Sequence, residues 1–422
     1  MKELVAVLGD DIIGHLYEDN TGKPQFEYTD QWKENPDAIP LSLSLPLASE
    51  KHDSDMVSAV IWGLLPDNEY TLQRWATQFQ VSARNPFALL SHVGEECAGA
   101  VAFIKPDSLD QWFNSSSDDR QYLDDYEIAK RLRLLRQDSG ATRLSGDTGQ
   151  FSLAGAQPKT ALSFIDGQWS VPYGKAATTH ILKPPSNDFV GYAENEHFCL
   201  RLASELELPT TETAIIHFED EIAIRVVRYD RDIQSGSVIR IHQEDCCQAL
   251  GVMPQIKYQN QGGPSPKDIV DLLRQYSSKP KEDVETFFRA LVLNWLIGGT
   301  DAHAKNYSLL LDRTGKARLA PLYDISSILP YPEINRHKLK LSMKIGSSYL
   351  WEKISFRHWL NLMDELELDR EYAAYMILEM IYFLPDIAVT VADDLKKEGL
   401  NHNIIDSLVE EINKSVKKFS TL

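Results

Sequence analysis

The residues best suited to chemistry lie in the segment GGTDAHAKNYSLLL, which runs from Gly298 to Leu311. Asp301 and Asn306 have the spacing D-x-x-x-x-N, and Asp324 follows in the segment PLYDIS. Phosphoryl transfer uses one carboxylate to orient the attacking hydroxyl, with an amide oxygen and a second carboxylate to hold Mg²⁺. The alternative is that these side chains make ordinary turn hydrogen bonds. The order of all three favours phosphoryl transfer.

A phosphate-binding loop should lie upstream, and the segment FSLAGAQPKT is the candidate. Ala154, Gly155 and Ala156 are small enough for backbone N–H groups to approach an anion. Lys183 ends the strand-like segment THILKPP, where a lysine could bind nucleotide phosphates, and Glu196 at the start of the next helical segment could orient it. A plain β-turn and a solvated ion pair are the alternatives for these two features.

His303 stands two residues after Asp301 and admits two interpretations. In one, His303 is a polar contact to a phosphate or within the catalytic loop. In the other, Asp301, His303 and Asp324 are the ligands of a metal hydrolase. Zinc sites usually contain more His or Cys ligands than this set offers, so the first interpretation is favoured.

The surrounding segments indicate how these residues are positioned. Residues 1–105 are strand-rich, with one helical stretch, DMVSAVIWGLLPDNEYTLQRWATQF; residues 106–242 contain a connector, a helix and a second strand-rich block. Residues 243–422 are mainly helical, except for one strand pair, NYSLLLD and ARLAPLYD. The predicted fold class is therefore α+β: a protein-kinase-like two-lobed body, with a β-rich N-lobe and an α-helical C-lobe, preceded by an N-terminal β subdomain.

Composition limits the function classes. The formal charge of −19 argues against a chain that coats nucleic acid by itself, although DNA could be reached through a basic partner. Four cysteines without a CxxC pair fit a reducing cytoplasm rather than a disulfide scaffold. The sequence gives no expectation of a signal peptide or a membrane span, and a cytoplasmic location is predicted.

The motifs FSLAGAQPKT, THILKP, NEHFCLRLA, VVRYDR, HQEDCCQALG, WLIGGTDAHAKNYSLLL and LAPLYDIS occur in the order found in the HipA-type serine/threonine kinases. Those kinases are toxins of bacterial toxin–antitoxin pairs. The chain resembles this family over nearly its whole length, and the N-terminal segments PLSLSLPL and WGLLPDNE are similar to the family's N-terminal subdomain.

The resemblance implies a role for each matching position. Asp301 is the catalytic residue, Asn306 and Asp324 hold Mg²⁺, and Ser152 is the site of autophosphorylation. Gln243, Glu244 and Asp245 resemble an element packed near the active site. The ATP-binding set comprises the loop Ala154, Gly155, Ala156, Gln157, Pro158 and Lys159, then Lys183, the hinge Val227, Arg228 and Tyr229, the ribose contact Asp230, and His303, Asn306, Tyr323 and Asp324.

Three departures from the family pattern stand out. Pro158 occupies a position that is commonly acidic, Val227 replaces a common Glu, and the segment LSMKIGSSYLWEKISFRHWL has few basic residues. The scarcity of basic residues in the last segment argues against direct contact of this chain with DNA.

The resemblance also implies partners and a substrate. These are a small helix-turn-helix antitoxin of the HipB type, DNA reached mainly through that antitoxin, and a translation component such as glutamyl-tRNA synthetase. Two alternatives stay open at this point: a small-molecule or lipid phosphotransferase with the same fold, and a non-catalytic corepressor of a DNA-bound partner.

Overall fold

The computed structural model of the chain describes residues 2–142, 151–185, 189–234 and 236–420. They divide into two units that interleave along the chain. Unit one comprises Met1–Pro184, Ile216–Gln255 and Ser308–Ala317, and unit two comprises Pro185–Ile215, Ile256–Tyr307 and Arg318–Leu422. Residues 243–255 belong to unit one, and the predicted domain boundaries at residues 105 and 242 stay predictions.

The strands and helices of the described residues, in chain order, are as follows. The strands are β1 Glu3–Leu8, β2 Asp11–Glu18, β3 Pro24–Tyr28, β4 Val101–Ile104, β5 Arg120–Leu123, β6 Thr160–Ile165, β7 Gln168–Pro172, β8 His180–Lys183, β9 Thr213–Phe218, β10 Glu221–Val227, β11 Arg231–Gln234, β12 Ser237–Arg240, β13 His242–Asp245, β14 Ser308–Leu311, β15 Ala317–Leu319, β16 Lys340–Ile345 and β17 Ser348–Leu350. The helices are α1 Asp30–Lys33, α2 Ser54–Gly63, α3 Glu69–Phe79, α4 Pro86–Val93, α5 Leu109–Asn114, α6 Asp125–Gln137, α7 Tyr192–Glu205, α8 Cys246–Ala249, α9 Pro266–Tyr276, α10 Pro280–Ile297, α11 Phe356–Glu365, α12 Arg370–Lys397 and α13 Asn403–Phe419.

The N-terminal part of unit one is a four-stranded sheet in the order β3-β2-β1-β4. A two-residue turn at Gly9 and Asp10 joins β1 to β2, and the φ of +63° at Gly9 suits a tight hairpin. Val5, Val7 and Ile104 on one face of the sheet pack together in a buried cluster, as the alternating pattern predicts.

A six-stranded sheet in the order β5-β7-β6-β8-β10-β9 carries Lys183 and Val227, two of the predicted nucleotide-binding residues of unit one. The helix α6 packs on this sheet through Ile128 and Leu132, which share a buried cluster with Leu162 and Leu182. A capping box between Asp124 and Glu127 fixes where α6 begins. The strand β8 is central, so Lys183 at its end sits on a rigid support.

In unit two, α10 is buried along most of its length and leads directly into residues 298–311, the predicted catalytic segment. Trp295 and Phe288 on α10 pack against Trp359 of α11, with ring centroids 5.3 and 5.5 Å apart. Trp295 also packs against Phe419 at the end of α13, with ring centroids 4.3 Å apart and planes tilted by 36°. This aromatic core holds the C-terminal end of α10 in place.

Several elements differ from their sequence predictions. The predicted single helical stretch in the N-terminal part is two helices, α2 and α3, because the chain breaks around Pro66, whose ring lacks an N–H donor. The strand β5 lies in the predicted connector, and β16 with β17 forms a second hairpin in the helical region.

The helix α12 is long and apolar enough to cross a membrane by length and composition alone. Its most apolar 18-residue window has a mean hydropathy of 1.5, and the helix includes the charged residues Glu379 and Asp386. One such helix is weak support for a membrane span, since core helices pass the same test.

Candidate functional site

The catalytic segment begins where α10 ends. Gly298 takes a left-handed conformation, with φ of +67°, and a Cβ there would lie 2.6 Å from Leu329. At Gly299 a Cβ would lie 2.2 Å from the Asn294 side chain. Two consecutive positions therefore accept only glycine, which explains the GG that precedes Asp301.

The backbone carbonyl of Asp301 organises the turn that follows it. It accepts hydrogen bonds from the His303 N–H and from the Asn306 side-chain amide, both at 2.8 Å. The five-residue spacing therefore has a physical purpose, because it closes the loop on itself. The Asp301 side chain is 61% exposed, whereas that of His303 is 4% exposed.

Asn306 is oriented by that hydrogen bond. Because its side-chain nitrogen donates to the Asp301 carbonyl, the amide oxygen Oδ1 is the atom that could bind a metal ion. The Asn306 N–H donates to the His303 carbonyl at 2.9 Å, which fixes the backbone of the same turn. An oriented amide oxygen is a ligand that Mg²⁺ accepts.

Asp324 has a left-handed backbone, with φ of +58°. This conformation is uncommon outside glycine, and Asp and Asn tolerate it best. The preceding segment is fixed by hydrogen bonds from Leu322 N to the Pro209 carbonyl at 2.8 Å and from Thr211 N to the Leu322 carbonyl at 3.0 Å. Tyr323 donates through its hydroxyl to the Lys305 carbonyl at 2.6 Å, which ties it to the catalytic segment. Residues in sparsely populated conformations cluster at functional sites.

The metal-hydrolase interpretation is not supported. Among residues 2–142, 151–185, 189–234 and 236–420, no three His, Cys, Asp or Glu side chains gather as a metal-binding group. The nitrogen Nε2 of His303 lies 3.9 Å from Asp301 Oδ1, within the loop. Asn306 with Asp324 fits Mg²⁺ by ligand type, since both offer hard oxygen atoms.

The predicted phosphate-binding loop of unit one is held by the N-terminal part of the same unit. Ser152 is buried: its N–H donates to the Glu96 carbonyl at 2.8 Å, and its hydroxyl donates to the Leu64 carbonyl at 2.7 Å. The Gly155 carbonyl accepts from the Asp67 N–H at 3.1 Å. These contacts anchor both ends of the small-residue segment.

Lys159 shapes the same loop rather than extending from it. Its amino group donates to the Ala154 carbonyl at 2.8 Å. Gly155 has φ of +104°, and a Cβ there would lie 2.5 Å from the Lys159 nitrogen. Neighbouring Ala156 accepts from the Asn68 side-chain amide at 3.4 Å. The loop therefore needs glycine at residue 155 both for its backbone angle and for space.

Lys183 is buried at the end of β8 and pairs in register with Ile224 of β10. The strand β8 lies between β6 and β10 in the sheet, and the phosphate-binding role of Lys183 stays a prediction. Lys183 belongs to unit one and Glu196 to unit two, and their pairing stays a prediction.

Arg228, the middle residue of the hinge, is buried, whereas Val227 and Tyr229 are half-buried. We call Glu96, Arg228, Asp230, Arg231 and Arg240 the arginine cluster; the first four are buried and Arg240 is half-buried. Arg228 binds Glu96 at 3.1 Å and Asp230 at 2.7 Å. Arg231 binds the same two carboxylates, each at 3.0 Å, and Arg240 binds Glu96 at 2.5 Å. The cluster joins the hinge to residue 96 of the N-terminal part.

The charges of the arginine cluster stabilise one another. Burial opposes ionisation of Glu96, but Arg240, Arg231 and Arg228 outweigh it and lower its pKa to about 2. Asp230 likewise has a pKa well below its ordinary value, because Arg228 and Arg231 outweigh its burial. The Asp230 carboxylate also accepts from the Gly99 N–H at 2.7 Å. Its role as a ribose contact stays a prediction, and the structure gives it these other partners.

The backbone of the hinge is fixed by the same arrangement. The Arg228 N–H donates to the Thr179 carbonyl at 2.9 Å, and Val227 ends the strand β10. Tyr229 donates through its hydroxyl to the Gln243 side chain at 2.8 Å. Contact between the hinge backbone and adenine stays a prediction. The side chains of Arg228 and Tyr229 already have the hydrogen-bond partners described above.

The QED element is the anchor of the PLSLSLPL segment. The Glu244 carboxylate accepts from the Ser42 hydroxyl at 2.5 Å and from the Leu43 N–H at 2.8 Å. Burial, as the main cause, raises the pKa of Glu244 to about 8. Asp245 instead caps the short helix α8. Glu244 thus joins two parts of unit one.

Sequence reasoning missed Glu96, Arg231, Arg240 and Tyr258. Tyr258 donates through its hydroxyl to Asp301 Oδ1 at 2.7 Å. Glu96 lies 132 residues from Arg228, so no local pattern could connect them. The density of arginines around residues 225–240 was the only sign of a buried charged group.

Two features define the protein-kinase-like class. One is a lysine at the end of a strand, and the other is a D-x-x-x-x-N loop followed by a hairpin and an Asp. The HipA N-terminal domain family matches residues 4–104, and the HipA-like C-terminal domain family matches residues 151–386. The chain belongs to the HipA family and has the kinase-like fold of that family.

Individual relatives agree with this assignment. The protein Y4mE of Sinorhizobium fredii is 35% identical over 388 residues, covering 91% of this chain and 90% of that protein. The serine/threonine-protein kinase toxin HipA of Shewanella oneidensis is 28% identical over 387 residues, covering 86% and 83%. A solved complex of HipA, HipB and operator DNA from Shewanella oneidensis contains a chain that matches with a TM-score of 0.85 and 24% identity, covering 99% of this chain and 98% of that one.

Proposed function

We propose that this protein is an ATP- and Mg²⁺-dependent serine/threonine kinase that acts as the toxin of a toxin–antitoxin pair. The observation that carries the proposal is the catalytic loop, in which the Asp301 carbonyl binds both His303 and Asn306 while the Asp301 carboxylate remains mostly exposed. An exposed carboxylate on a self-closed turn is suited to meet a substrate hydroxyl. Sequence similarity to the serine/threonine-protein kinase toxin HipA of Shewanella oneidensis supports the same activity.

The proposed reaction transfers the γ-phosphoryl group of ATP. The oxygen of a serine or threonine hydroxyl bonds to the γ-phosphorus, and the bond from that phosphorus to the bridging oxygen of ADP breaks, with its electron pair going to ADP. The hydroxyl proton goes to the Asp301 carboxylate. Asn306 and Asp324 would hold Mg²⁺, which supplies neutralisation of charge on the phosphates.

Residues of unit one would bind the nucleotide in this proposal. The backbone of the loop 154–159 suits phosphate oxygens because its small residues leave the N–H groups accessible. Lys183 would add a positive charge at the phosphates. Burial in the sheet holds that amine in one place, so little entropy is lost on binding.

We also propose that Ser152 is an autophosphorylation site, that a HipB-like antitoxin is the partner, and that DNA is reached through it. The neighbouring solved complex contains HipA with HipB and operator DNA, and the charge of −19 suits a basic partner. Ser152 is fully buried, so its phosphorylation requires the hydroxyl to leave the Leu64 carbonyl. A translation component such as glutamyl-tRNA synthetase is the proposed substrate, in the cytoplasm.

The decisive experiment replaces the catalytic carboxylate. Asp301→Asn should lower transfer of radiolabel from ATP by about a hundredfold or more, because the variant cannot accept the proton. Its melting temperature should match the wild type, since the side chain is mostly exposed. Asp386→Asn, at an exposed position on α12, is the matched control. Transfer by Asp301→Asn within tenfold of wild type would refute the assignment.

Phosphoproteomics after brief induction separates the substrate classes. New phosphoserine or phosphothreonine in proteins supports the protein kinase. A radiolabelled lipid or metabolite without labelled protein would favour a small-molecule phosphotransferase. Absence of ATP turnover by the purified wild type would leave the corepressor as the surviving alternative.

A further inference from the structure

Tyr258 is a side chain outside the family motifs that contacts the catalytic carboxylate. Its hydroxyl donates a hydrogen bond to Asp301 Oδ1 at 2.7 Å, and both residues lie in unit two. Its ring meets the His303 ring edge-on, with centroids 5.1 Å apart and planes at 81°. The nearby Lys257 amine lies 5.6 Å from the Tyr258 ring centroid. Tyr258 therefore touches two members of the catalytic loop at once.

The backbone around Tyr258 is fixed by several hydrogen bonds. Its carbonyl accepts from the N–H groups of Gln261 and Gly263, at 2.9 and 3.0 Å. A Cβ at Gly263 would lie 2.1 Å from the Ile256 carbonyl oxygen, so the loop closes only with glycine there. The loop is thus built to present the tyrosine in one orientation.

The same loop is also tied to a neighbouring strand. The Gln259 side chain accepts from the Lys344 N–H of β16 at 2.8 Å. Ser342 on β16 donates to the carbonyl of Thr300, the residue before Asp301, at 2.5 Å. The strand β16 therefore supports both the tyrosine and the aspartate, so their separation does not depend on one long, flexible connection.

We propose that Tyr258 is a positioning residue for phosphoryl transfer. This inference rests on the proposed function. A carboxylate can rotate about its terminal bond, and the broad torsional preference of Asp leaves that rotation weakly restricted. A donor fixed on Oδ1 sets the plane of the carboxylate, and that plane determines where the second oxygen meets a substrate hydroxyl.

Tyrosine–carboxylate hydrogen bonds elsewhere in unit two provide the comparison. Tyr372 donates to Glu285 at 3.0 Å, and Tyr375 donates to Glu379 at 3.4 Å, both at exposed positions. They are longer than the bond to Asp301. Tyr372→Phe therefore removes a chemically matched hydroxyl that lies outside the catalytic loop.

The experiment compares Tyr258→Phe with Tyr372→Phe in the full chain. Single-turnover transfer from radiolabelled ATP, to the protein itself and to lysate proteins, is measured across ATP concentrations. Hydrogen bonds to charged groups are worth about 1.5–3 kcal/mol, so the rate at saturating ATP should fall about ten- to a hundredfold in Tyr258→Phe. The half-saturating ATP concentration and the Mg-ATP affinity measured by calorimetry should stay within twofold of the wild-type values. The melting temperature should stay within a few degrees of the wild type. Tyr372→Phe should match the wild type.

A second arm tests whether Tyr258 acts through Asp301. In the Asp301→Asn background, adding Tyr258→Phe should lower the rate no further, because the group that the tyrosine positions is already lost. Tyr258→Leu should be slower than Tyr258→Phe, since it also removes the ring packed against His303.

Three results would overturn the inference. One is an unchanged saturating rate in Tyr258→Phe. Another is a faster rate, which would mean that the tyrosine restrains Asp301 instead of preparing it. The last is an equal loss of Mg-ATP affinity and thermal stability, which would indicate a purely structural residue. If the wild type itself transfers no phosphate, the proposed function fails, whereas an active wild type with an equally active Tyr258→Phe refutes this inference alone.

Discussion

Replacing Glu96 by Gln should weaken the arginine cluster more than any exposed substitution of the same kind. The change keeps the shape of the side chain and removes its charge. Three guanidinium groups, those of Arg228, Arg231 and Arg240, contact Glu96, and Asp230 would be the remaining carboxylate of the cluster. Charge balance in the cluster then moves from +1 to +2, counting three arginines against two and then one carboxylate.

The size of the effect follows from the pKa of Glu96. A pKa of about 2 in place of the ordinary 4.5 corresponds to about 3 kcal/mol, at about 1.4 kcal/mol for each pKa unit. Breaking a buried ion pair by removing one partner costs about 3–5 kcal/mol, which agrees. Glu96 is nearly fully buried, so solvent screening reduces this value little.

Native-state hydrogen exchange followed by mass spectrometry is the appropriate assay, because a chain with two units need not unfold in one step. Peptides covering residues 96–104 and 224–231 contain the strands and the hinge that the cluster joins. Their protection should fall on the order of a hundredfold in Glu96→Gln, since each factor of ten is about 1.4 kcal/mol. Peptides from α10 should change less.

The contribution of Glu96 to stability depends on pH in a direction that follows from its lowered pKa. Because the folded pKa of Glu96 is depressed, its contribution to stability is fully present above the unfolded value of 4.5 and is lost as pH falls toward about 2. The stability gap between wild type and Glu96→Gln should therefore be constant near neutrality and shrink below about pH 4.5. Glu50→Gln, at an exposed position of the same unit, is the control. Unchanged protection around the hinge, or an equal effect in Glu50→Gln, would refute the reasoning.

Two further predictions address the metal and the QED element. Asn306→Ala and Asp324→Asn should each weaken Mg²⁺-dependent ATP binding in calorimetry. Asn is chosen at residue 324 because it tolerates the left-handed backbone that Ala resists. Unchanged affinity in both variants would count against the role of these residues as metal ligands. Glu244→Gln should gain stability relative to the wild type as pH rises from 5 to 8. Because folding raises the pKa of Glu244 from 4.5 to about 8, the wild type loses stability as pH rises between these two values. Parallel melting curves of the two proteins over that pH range would contradict a neutral, buried Glu244.

Local patterns were enough to predict the elements that carry the catalytic segment. The helical pattern of residues 243–422 predicted α10, and the strand pair NYSLLLD and ARLAPLYD predicted β14 and β15. The spacing of Asp301 and Asn306 is explained by a hydrogen bond within the loop, so one short segment contains both the pattern and its cause. Such features are readable because their physical reasons are local.

Features that depend on distant residues were not predictable in the same way. Tyr258 is 43 residues before Asp301, and nothing about its neighbours indicates a catalytic contact. The segment VVRYDR predicted a hinge, but not that Arg228 would turn inward to Glu96. Lys159 was predicted only as the last residue of the phosphate-binding loop, and the structure shows its amino group donating to the Ala154 carbonyl. In each case the fold supplies the partner.

The placement of these partners bears on how the N-terminal HipA domain relates to nucleotide binding. The loop that begins at Ser152 is held by the carbonyl groups of Leu64 and Glu96 and by the N–H of Asp67, all from the N-terminal 105 residues. The Glu96 side chain also neutralises Arg228 beneath the hinge. Backbone groups left without these partners would lose their hydrogen bonds in a buried setting, which is costly. The N-terminal domain is therefore part of the structure that shapes the predicted phosphate-binding loop, and its loss would disturb that loop directly.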